Sequence, residues 1–315
     1  VVDYLKKTAQ GPQAEKPGHI FLIVCESYAN WTLLPEYQDL NIANGLKGII
    51  QQPDADYVST FLPNGMSTIS GVLGIVTGLT DVNLYLNYNQ EAYQGPFPTA
   101  IAPQLKKLGY QPRFWYAGPN SWERIKDFTQ AQGFEDFYGR GDFESQTGNV
   151  WGCDDKYLFN AVLANINPDK PSFNVILTVS NHSPYTVDLQ KEGFDREKVI
   201  AGLPPKLRDN EELIKQLGHF WYADKMMAQF VATVRQKYPD SLFIIVGDHA
   251  DRLNLETTPG LYKRYGIPFV AYGKGVTKDT FPEWAAGSHI NVGPTLLELV
   301  APKDFSYYSL GESLT

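Results

Sequence analysis

The chain alternates between short apolar runs and longer segments whose apolar residues recur at helical spacing. The apolar runs predict strands in "HIFLIVC", where Ile20 to Cys25 lead to Glu26, and in "PRFWYAG", "SFNVILTVSNH", "SLFIIVG" and "GIPFVAYG". Helical spacing predicts helices in "STISGVLGIVTGL", "TAIAPQLKKLGYQ", "NSWERIKDFTQAQGF", "DDKYLFNAVLANI", "HFWYADKMMAQFVATVRQKY" and "VGPTLLELVA". Continuous apolar strands alternating with helices predict an α/β fold with a mostly parallel central sheet and helices on both faces.

No shift in composition marks an internal boundary. Residues 1–17 are polar and contain Pro12 and Pro17, so we expect a lead-in or linker followed by a single domain over residues 18–315. Residues 186–215 are polar and irregular, which predicts a long surface insert. Because the chain begins with Val1, we expect a preceding segment that could anchor the protein to a membrane.

Composition and charge narrow the function classes. The 315 residues are 43% apolar and 20% charged, as in a soluble globular protein, and the formal net charge is −8. That charge argues against a nucleic-acid binder held by phosphate contacts. The two cysteines, Cys25 and Cys153, are too few for a disulfide framework, and whether they pair stays open.

Ionisable residues follow three of the predicted strands. Glu26 ends the first strand, His182 follows "TVSN", and Asp248 with His249 ends "LFIIVG". In a parallel sheet these ends meet at one edge, where α/β proteins bind their ligands. Two carboxylates and an imidazole predict a divalent-cation site, although each residue taken alone is more typical of a solvated loop or turn.

The stretch "NGMSTISG" places Ser67, Thr68 and Ser70 where a loop enters a helix. The free N–H groups of a helix N-terminus favour anions such as phosphate, and a hydroxyl there could attack phosphorus if a metal activated it. Serine and threonine are also good N-caps, so both interpretations stand.

Taken together, five motifs resemble the catalytic ectodomain of the lipoteichoic acid synthase type, within the alkaline phosphatase/sulfatase superfamily. They are the strand ending in Glu26-Ser27, "STISG", "SNHSPY", "GDHADR" and "SHINVGPTLLEL", within residues 18–300. The resemblance implies one Mn²⁺ or Mg²⁺ ion, held by Glu26, Thr68, Asp248 and His249. Thr68 would be the nucleophile, with Ser67 as the alternative.

The resemblance also assigns the substrate contacts. "NSWERI" matches the family's Trp-x-Arg, which places Trp122 and Arg124 at a phosphoglycerol group, and His182 matches an active-site histidine. The guanidinium group of Arg124 can bind a phosphate through two hydrogen bonds, and His182 can protonate a leaving alcohol. His289 is expected to order a strand-to-helix junction, and Asp251 and Arg252 to lie around the site or on the surface.

These features predict a phosphotransferase that moves a phosphoglycerol-type headgroup from a phospholipid such as phosphatidylglycerol, through a phospho-threonine, outside the cytoplasm at the cell membrane. The alternatives are a phosphodiesterase or phosphatase, and a lipid-binding domain without turnover. The Cys/Ser-x-Pro-x-Arg context of working sulfatases is absent around Ser67 and Thr68, which argues against sulfate ester hydrolysis. The cysteine count likewise does not favour the disulfide-rich phosphoethanolamine transferases.

Overall fold

The structure is a computed structural model that describes residues 2–12, 16–80 and 84–315. Its strands are β1 (Lys6–Thr8), β2 (His19–Cys25), β3 (Ala55–Val58), β4 (Thr60–Leu62), β5 (Gln111–Tyr116), β6 (Asp136–Tyr138), β7 (Gly148–Asn149), β8 (Gly152–Cys153), β9 (Ser172–Leu177), β10 (Leu242–Gly247), β11 (Phe269–Gly273), β12 (Ala286–Ser288) and β13 (Ser306–Tyr308). Its α-helices are α1 (Asn44–Ile50), α2 (Thr68–Thr77), α3 (Ile101–Lys107), α4 (Ile125–Ala131), α5 (Asp155–Ala164), α6 (Arg196–Gly202), α7 (Glu211–Lys237), α8 (Leu261–Tyr265) and α9 (Val292–Val300).

The central sheet, over the described residues, has seven strands in the order β3-β11-β10-β2-β9-β5-β6. Neighbouring strands from β10 to β6 run parallel, whereas β11 is antiparallel to both β10 and β3. Helices α1, α5 and α7 pack together as one group, and α2 contacts α3 and α9 in a second group. The predicted α/β class with a mostly parallel sheet is therefore confirmed.

The core lies around β2 and β10, whose residues are all buried. Both strands consist largely of β-branched and aromatic residues, which suit a pleated surface covered on both faces. Phe21 of β2 stacks on Phe243 of β10, with ring centroids 5.4 Å apart, and meets Phe230 of α7 edge-on at 5.5 Å. Each such buried side chain contributes roughly 1.5–3 kcal/mol, so the two strands form a rigid base for the loops that follow them.

Three local predictions were wrong. The polar stretch 186–215 is not an irregular insert throughout, because it contains α6 and the start of α7, where the Asn210 side chain caps the helix by accepting from Leu213 N–H. The helix predicted in "NSWERI" begins only at Ile125, because Glu123 and Arg124 adopt left-handed φ angles of 51° and 55°. Strand β9 ends at Leu177, before Asn181 and His182, rather than at them.

Part of the predicted lead-in packs onto the domain. Strand β1 pairs antiparallel with β13, and residues 13–15 of the lead-in lie outside the described residues. The division between 1–17 and 18–315 stays a prediction. Cys25 and Cys153 are both buried and unpaired in the structure. No helix in the described part of the chain has the length and apolar character to span a bilayer.

Candidate active site

The register of the sheet brings the ends of β2, β9 and β10 to one edge. Gly247 is paired with Cys25, and Val24 with Leu177, so the residues that follow these strands emerge side by side. Asp248 N–H continues the ladder by donating to the Cys25 carbonyl at 3.2 Å. Glu26 and Asp248 are consequently neighbours, although 222 positions separate them in the sequence.

Glu26, Asp248 and His249 form a compact buried cluster. One ligand atom from each can be chosen so that all three lie within 4.8 Å of one another. His249 Nε2 lies 3.4 Å from Glu26 Oε1 and 3.5 Å from Asp248 Oδ2. The three residues are at most 3% exposed, so water does little to screen their charges.

Burial and mutual charge interactions shift the pKa of all three groups in the cluster. Burial and the charge of Glu26 raise the pKa of Asp248 to about 8. Burial lowers the pKa of His249, but the charges of Asp248 and Glu26 outweigh it and raise that pKa to about 9. Burial also opposes ionisation of Glu26, but its interactions with Asp248, His249 and the Thr68 hydroxyl outweigh burial and lower its pKa to about 2. Protonation of Asp248 and His249 and the binding of a divalent cation are therefore alternatives at this cluster.

These residues fit a divalent cation. Asp248 Oδ1 accepts the backbone N–H groups of Ser27 and His249, at 2.7 and 2.6 Å, whereas its buried Oδ2 has no hydrogen-bond partner in the described part of the chain. A buried oxygen without a partner is costly, and a cation would satisfy it. Carboxylate oxygens with one imidazole suit ions such as Mg²⁺, Mn²⁺ or Zn²⁺, and the geometry does not choose among them.

Ser67 and Thr68 occupy different positions at the start of α2. Ser67 is the N-cap, and its hydroxyl accepts from Ser70 N–H at 3.5 Å. Thr68 is the first helical residue, and its Oγ1 donates to Glu26 Oε2 at 2.8 Å and lies 3.4 Å from His249 Nε2. The structure therefore places the Thr68 hydroxyl in the cluster and gives Ser67 the capping position.

A cleft of about 50 Å³ opens above the cluster. Aromatic rings face each other in pairs around it: Trp151 packs on His182 with centroids 5.1 Å apart, and Trp122 packs on Tyr116 at 5.3 Å. The residues that line the cleft are Glu26, Thr68, Tyr116, Trp122, Trp151, Thr178, Val179 and His182. Two predicted substrate residues, Trp122 and His182, thus share one cavity with Thr68.

Arg124 is not among the residues that line this cleft. It is exposed, and its guanidinium lies over the Tyr93 ring, 4.0 Å from the centroid. Its assignment to a substrate phosphate stays a prediction. Asp251 is paired with Arg264, whose Nη2 lies 3.2 Å from Asp251 Oδ2, and Arg252 is exposed.

His289 links the two halves of the site. Its Nδ1 accepts from Asn64 N–H at 2.9 Å, in the loop that leads to Thr68, and its Nε2–H donates to the Gly247 carbonyl at 2.8 Å, next to Asp248. Burial lowers its pKa to about 4, so the ring is neutral at neutral pH. It orders the backbone between helix and strand and offers no free nitrogen to a metal.

Tyr116 and Trp151 were missed by the sequence reasoning. Tyr116 ends the predicted strand "PRFWYAG", so its place at the sheet edge could have been inferred had aromatic strand ends been considered with the ionisable ones. Trp151 lies between the two-residue strands β7 and β8. No local pattern distinguishes it from a surface tryptophan.

The fold and this site define an α/β protein with a buried Glu–Asp–His cluster that could hold a metal ion. The sulfatase family model matches residues 59–301, more than half of the chain, so the chain belongs to the sulfatase family.

Solved structures agree at the level of the fold. An alkaline phosphatase superfamily protein from Vibrio parahaemolyticus is 20% identical, with a TM-score of 0.74 over 96% of this chain and 70% of that one. The lipoteichoic acid synthase LtaP from Listeria monocytogenes is 19% identical, with a TM-score of 0.73 over 97% and 77%. The Streptococcus pyogenes phosphoglycerol transferase GacH, solved with sn-glycerol-1-phosphate, is 16% identical, with a TM-score of 0.61 over 96% and 78%.

Proposed function

We propose that this protein is a metal-dependent phosphotransferase that moves a phosphoglycerol-type headgroup from a phospholipid such as phosphatidylglycerol. The observation that carries the proposal is the Thr68 hydroxyl, which lies at a helix N-terminus, in the cluster of Glu26, Asp248 and His249, and faces the cleft. The likeness to LtaP and GacH supports the choice of headgroup.

The cation would be held by Glu26, Asp248, His249 and the Thr68 hydroxyl, and we propose Mn²⁺ or Mg²⁺. When bound, it supplies Lewis-acid stabilisation of the phosphoryl oxygens and a lower pKa for the hydroxyl. The start of α2 adds backbone N–H groups and the positive end of the helix dipole, which favour the anionic phosphoryl group beside Thr68.

In the first half-reaction, Thr68 Oγ1 forms a bond to phosphorus as the bond from phosphorus to the diacylglycerol oxygen breaks. The Oγ1 proton leaves along the existing hydrogen bond to Glu26 Oε2. His182, whose Nδ1 is engaged with the Ser183 carbonyl, keeps Nε2 for protonating the departing alcohol. In the second half, an acceptor alcohol attacks phosphorus and gives its proton to His182, while Glu26 returns its proton to Thr68 Oγ1 as the bond from phosphorus to that oxygen breaks.

Transfer to water instead of an alcohol would make the same site a phosphodiesterase. The geometry of the cleft serves both outcomes. Because the donor is a membrane lipid, we propose that the domain works at a membrane surface outside the cytoplasm.

The test is release of diacylglycerol from labelled phosphatidylglycerol, with Mn²⁺ and with EDTA. We expect metal-dependent release that is lost in Thr68→Ala and retained in Ser67→Ala, because only Thr68 faces the cluster. Full release by Thr68→Ala would refute the nucleophile. Metal binding without turnover on any phosphodiester would favour a lipid-binding domain.

A further inference from the structure

Tyr116 is a buried cleft residue with an unusual hydroxyl. It ends β5, paired in register with Leu177 of β9, at the sheet edge that also carries Glu26. It is only 3% exposed and lines the same cleft as Thr68 and His182.

The Tyr116 hydroxyl forms no hydrogen bond with any residue in ranges 2–12, 16–80 and 84–315, and its oxygen keeps some exposure at the cleft. Buried tyrosine hydroxyls normally find a partner, because an unsatisfied one costs free energy. Other buried tyrosines here follow that rule: Tyr28 donates to Asp224 at 2.7 Å, Tyr110 donates to the Pro17 carbonyl, and Tyr222 accepts from Lys156 N–H at 3.1 Å.

The chain fixes the Tyr116 ring in place. The ring lies directly against Gly118: a β-carbon on residue 118 would be 2.4 Å from Tyr116 Cζ and 2.5 Å from its hydroxyl oxygen. Only glycine at position 118 permits this approach, and Trp122 packs on the ring. The hydroxyl is thus held at the cleft without being used by the fold.

We propose that Tyr116 is a further catalytic residue, whose O–H donates a hydrogen bond to a non-bridging oxygen of the phosphoryl group during its transfer to Thr68. The inference rests on the proposed function, because it names a residue of that same site. Burial and the negative charges of Glu26 and Asp248 raise the pKa of Tyr116 far above its usual value, so the group stays a donor at every working pH. A fixed donor in a water-poor site stabilises developing negative charge.

The test compares Tyr116→Phe with Tyr110→Phe, which alters the residue just before the start of β5. Removing one such donor costs roughly 10²–10³-fold in kcat where it is a principal one, and we expect a loss of about 10–100-fold for Tyr116→Phe because the metal shares the charge. KM and metal affinity should change little. Tyr116→Phe should keep its unfolding midpoint, because its hydroxyl has no partner in the fold. Tyr110→Phe should keep its turnover and lose stability.

A second measurement does not depend on the lipid substrate. Binding of orthovanadate, as an analogue of the transferring phosphoryl group, is followed by tryptophan fluorescence in the Mn²⁺-loaded protein. If the wild type releases no diacylglycerol but binds vanadate more tightly than Tyr116→Phe does, the proposed headgroup fails and the inference about Tyr116 stands. Equal vanadate affinity with equal kcat overturns the inference, as does a wild type that binds no vanadate.

Discussion

Asp248→Asn should separate the metal response of the protein from its stability. The substitution keeps an acceptor at Oδ1 for the two backbone N–H groups that Asp248 already receives. It places an amide NH₂ group at the position of Oδ2, which has no hydrogen-bond partner in the described part of the chain and lies in the same cluster as the Glu26 carboxylate. We therefore expect the metal-free variant to be as stable as the wild type or more stable, while metal binding is lost.

The expected shifts in Tm follow from the length of the chain, which sets its unfolding entropy, and from the free energy of metal binding. A ligand at 100 times its Kd stabilises the folded state by about 2.7 kcal/mol. At about 2.1 cal/mol/K per residue, a chain of 315 residues has an unfolding entropy of about 0.7 kcal/mol/K. Saturating Mn²⁺ should accordingly raise the wild-type Tm by about 4 °C. In EDTA, relief of an unsatisfied buried group, worth about 1–3 kcal/mol, should raise the Tm of Asp248→Asn by about 1–4 °C.

The assay is thermal unfolding with EDTA and with increasing Mn²⁺. Asp251→Asn is the matched control, because Asp251 lies on the same loop but pairs with the exposed Arg264. It should keep the full Mn²⁺ shift. A full Mn²⁺ shift in Asp248→Asn, or a metal-free variant that melts several degrees below the wild type, would contradict the charge argument.

Three further substitutions test the surrounding structure. Asp224 accepts one tyrosine hydroxyl and two backbone N–H groups at the start of α1. Asp224→Asn would point an amide N–H at one of these donors, so it should lower the free energy of unfolding in urea by about 1–3 kcal/mol, and an unchanged midpoint would contradict this. Burial lowers the pKa of His219, whose neutral Nε2 accepts from Val187 N–H. The contribution of this residue to stability is therefore present above pH 6.5 and is lost as the pH falls. His219→Gln should reduce the difference in unfolding free energy between pH 7.5 and 5.5, and an unaltered difference would contradict this prediction. Trp151→Ala should raise KM about tenfold, equivalent to about 1.4 kcal/mol, and leave kcat nearly constant. Trp284→Ala, at an exposed position, should change neither constant. Equal kinetics for both variants would show that Trp151 does not contact the substrate.

The sheet could be predicted from the sequence because its central strands are buried on both faces. Such strands are largely apolar, and β10 and β2 from Ile20 onward show that pattern. Helix starts were harder to predict. The first turns of α7 are polar on their exposed side and read as loop, and the left-handed residues Glu123 and Arg124 have no local signature that excludes a helix.

The site was predictable where charge marked it. An acid or imidazole directly after a buried strand is conspicuous, so Glu26, Asp248 and His249 could be expected at one edge, and the structure brings them together. An aromatic residue in that position is indistinguishable from core, which hid Tyr116. The position of Arg124 depends on how one turn packs against Tyr93, and pattern alone does not reach that level.

The central claim is that Thr68 carries the phosphoglycerol group between donor and acceptor. The most direct measurement is mass spectrometry of the Mn²⁺-loaded protein, quenched in acid during turnover of phosphatidylglycerol. The account predicts one added phosphoglycerol group on Thr68 in the wild type and in Ser67→Ala, and none in Thr68→Ala. An adduct on Ser67, or a wild type that turns over substrate without any adduct on Thr68, would contradict it.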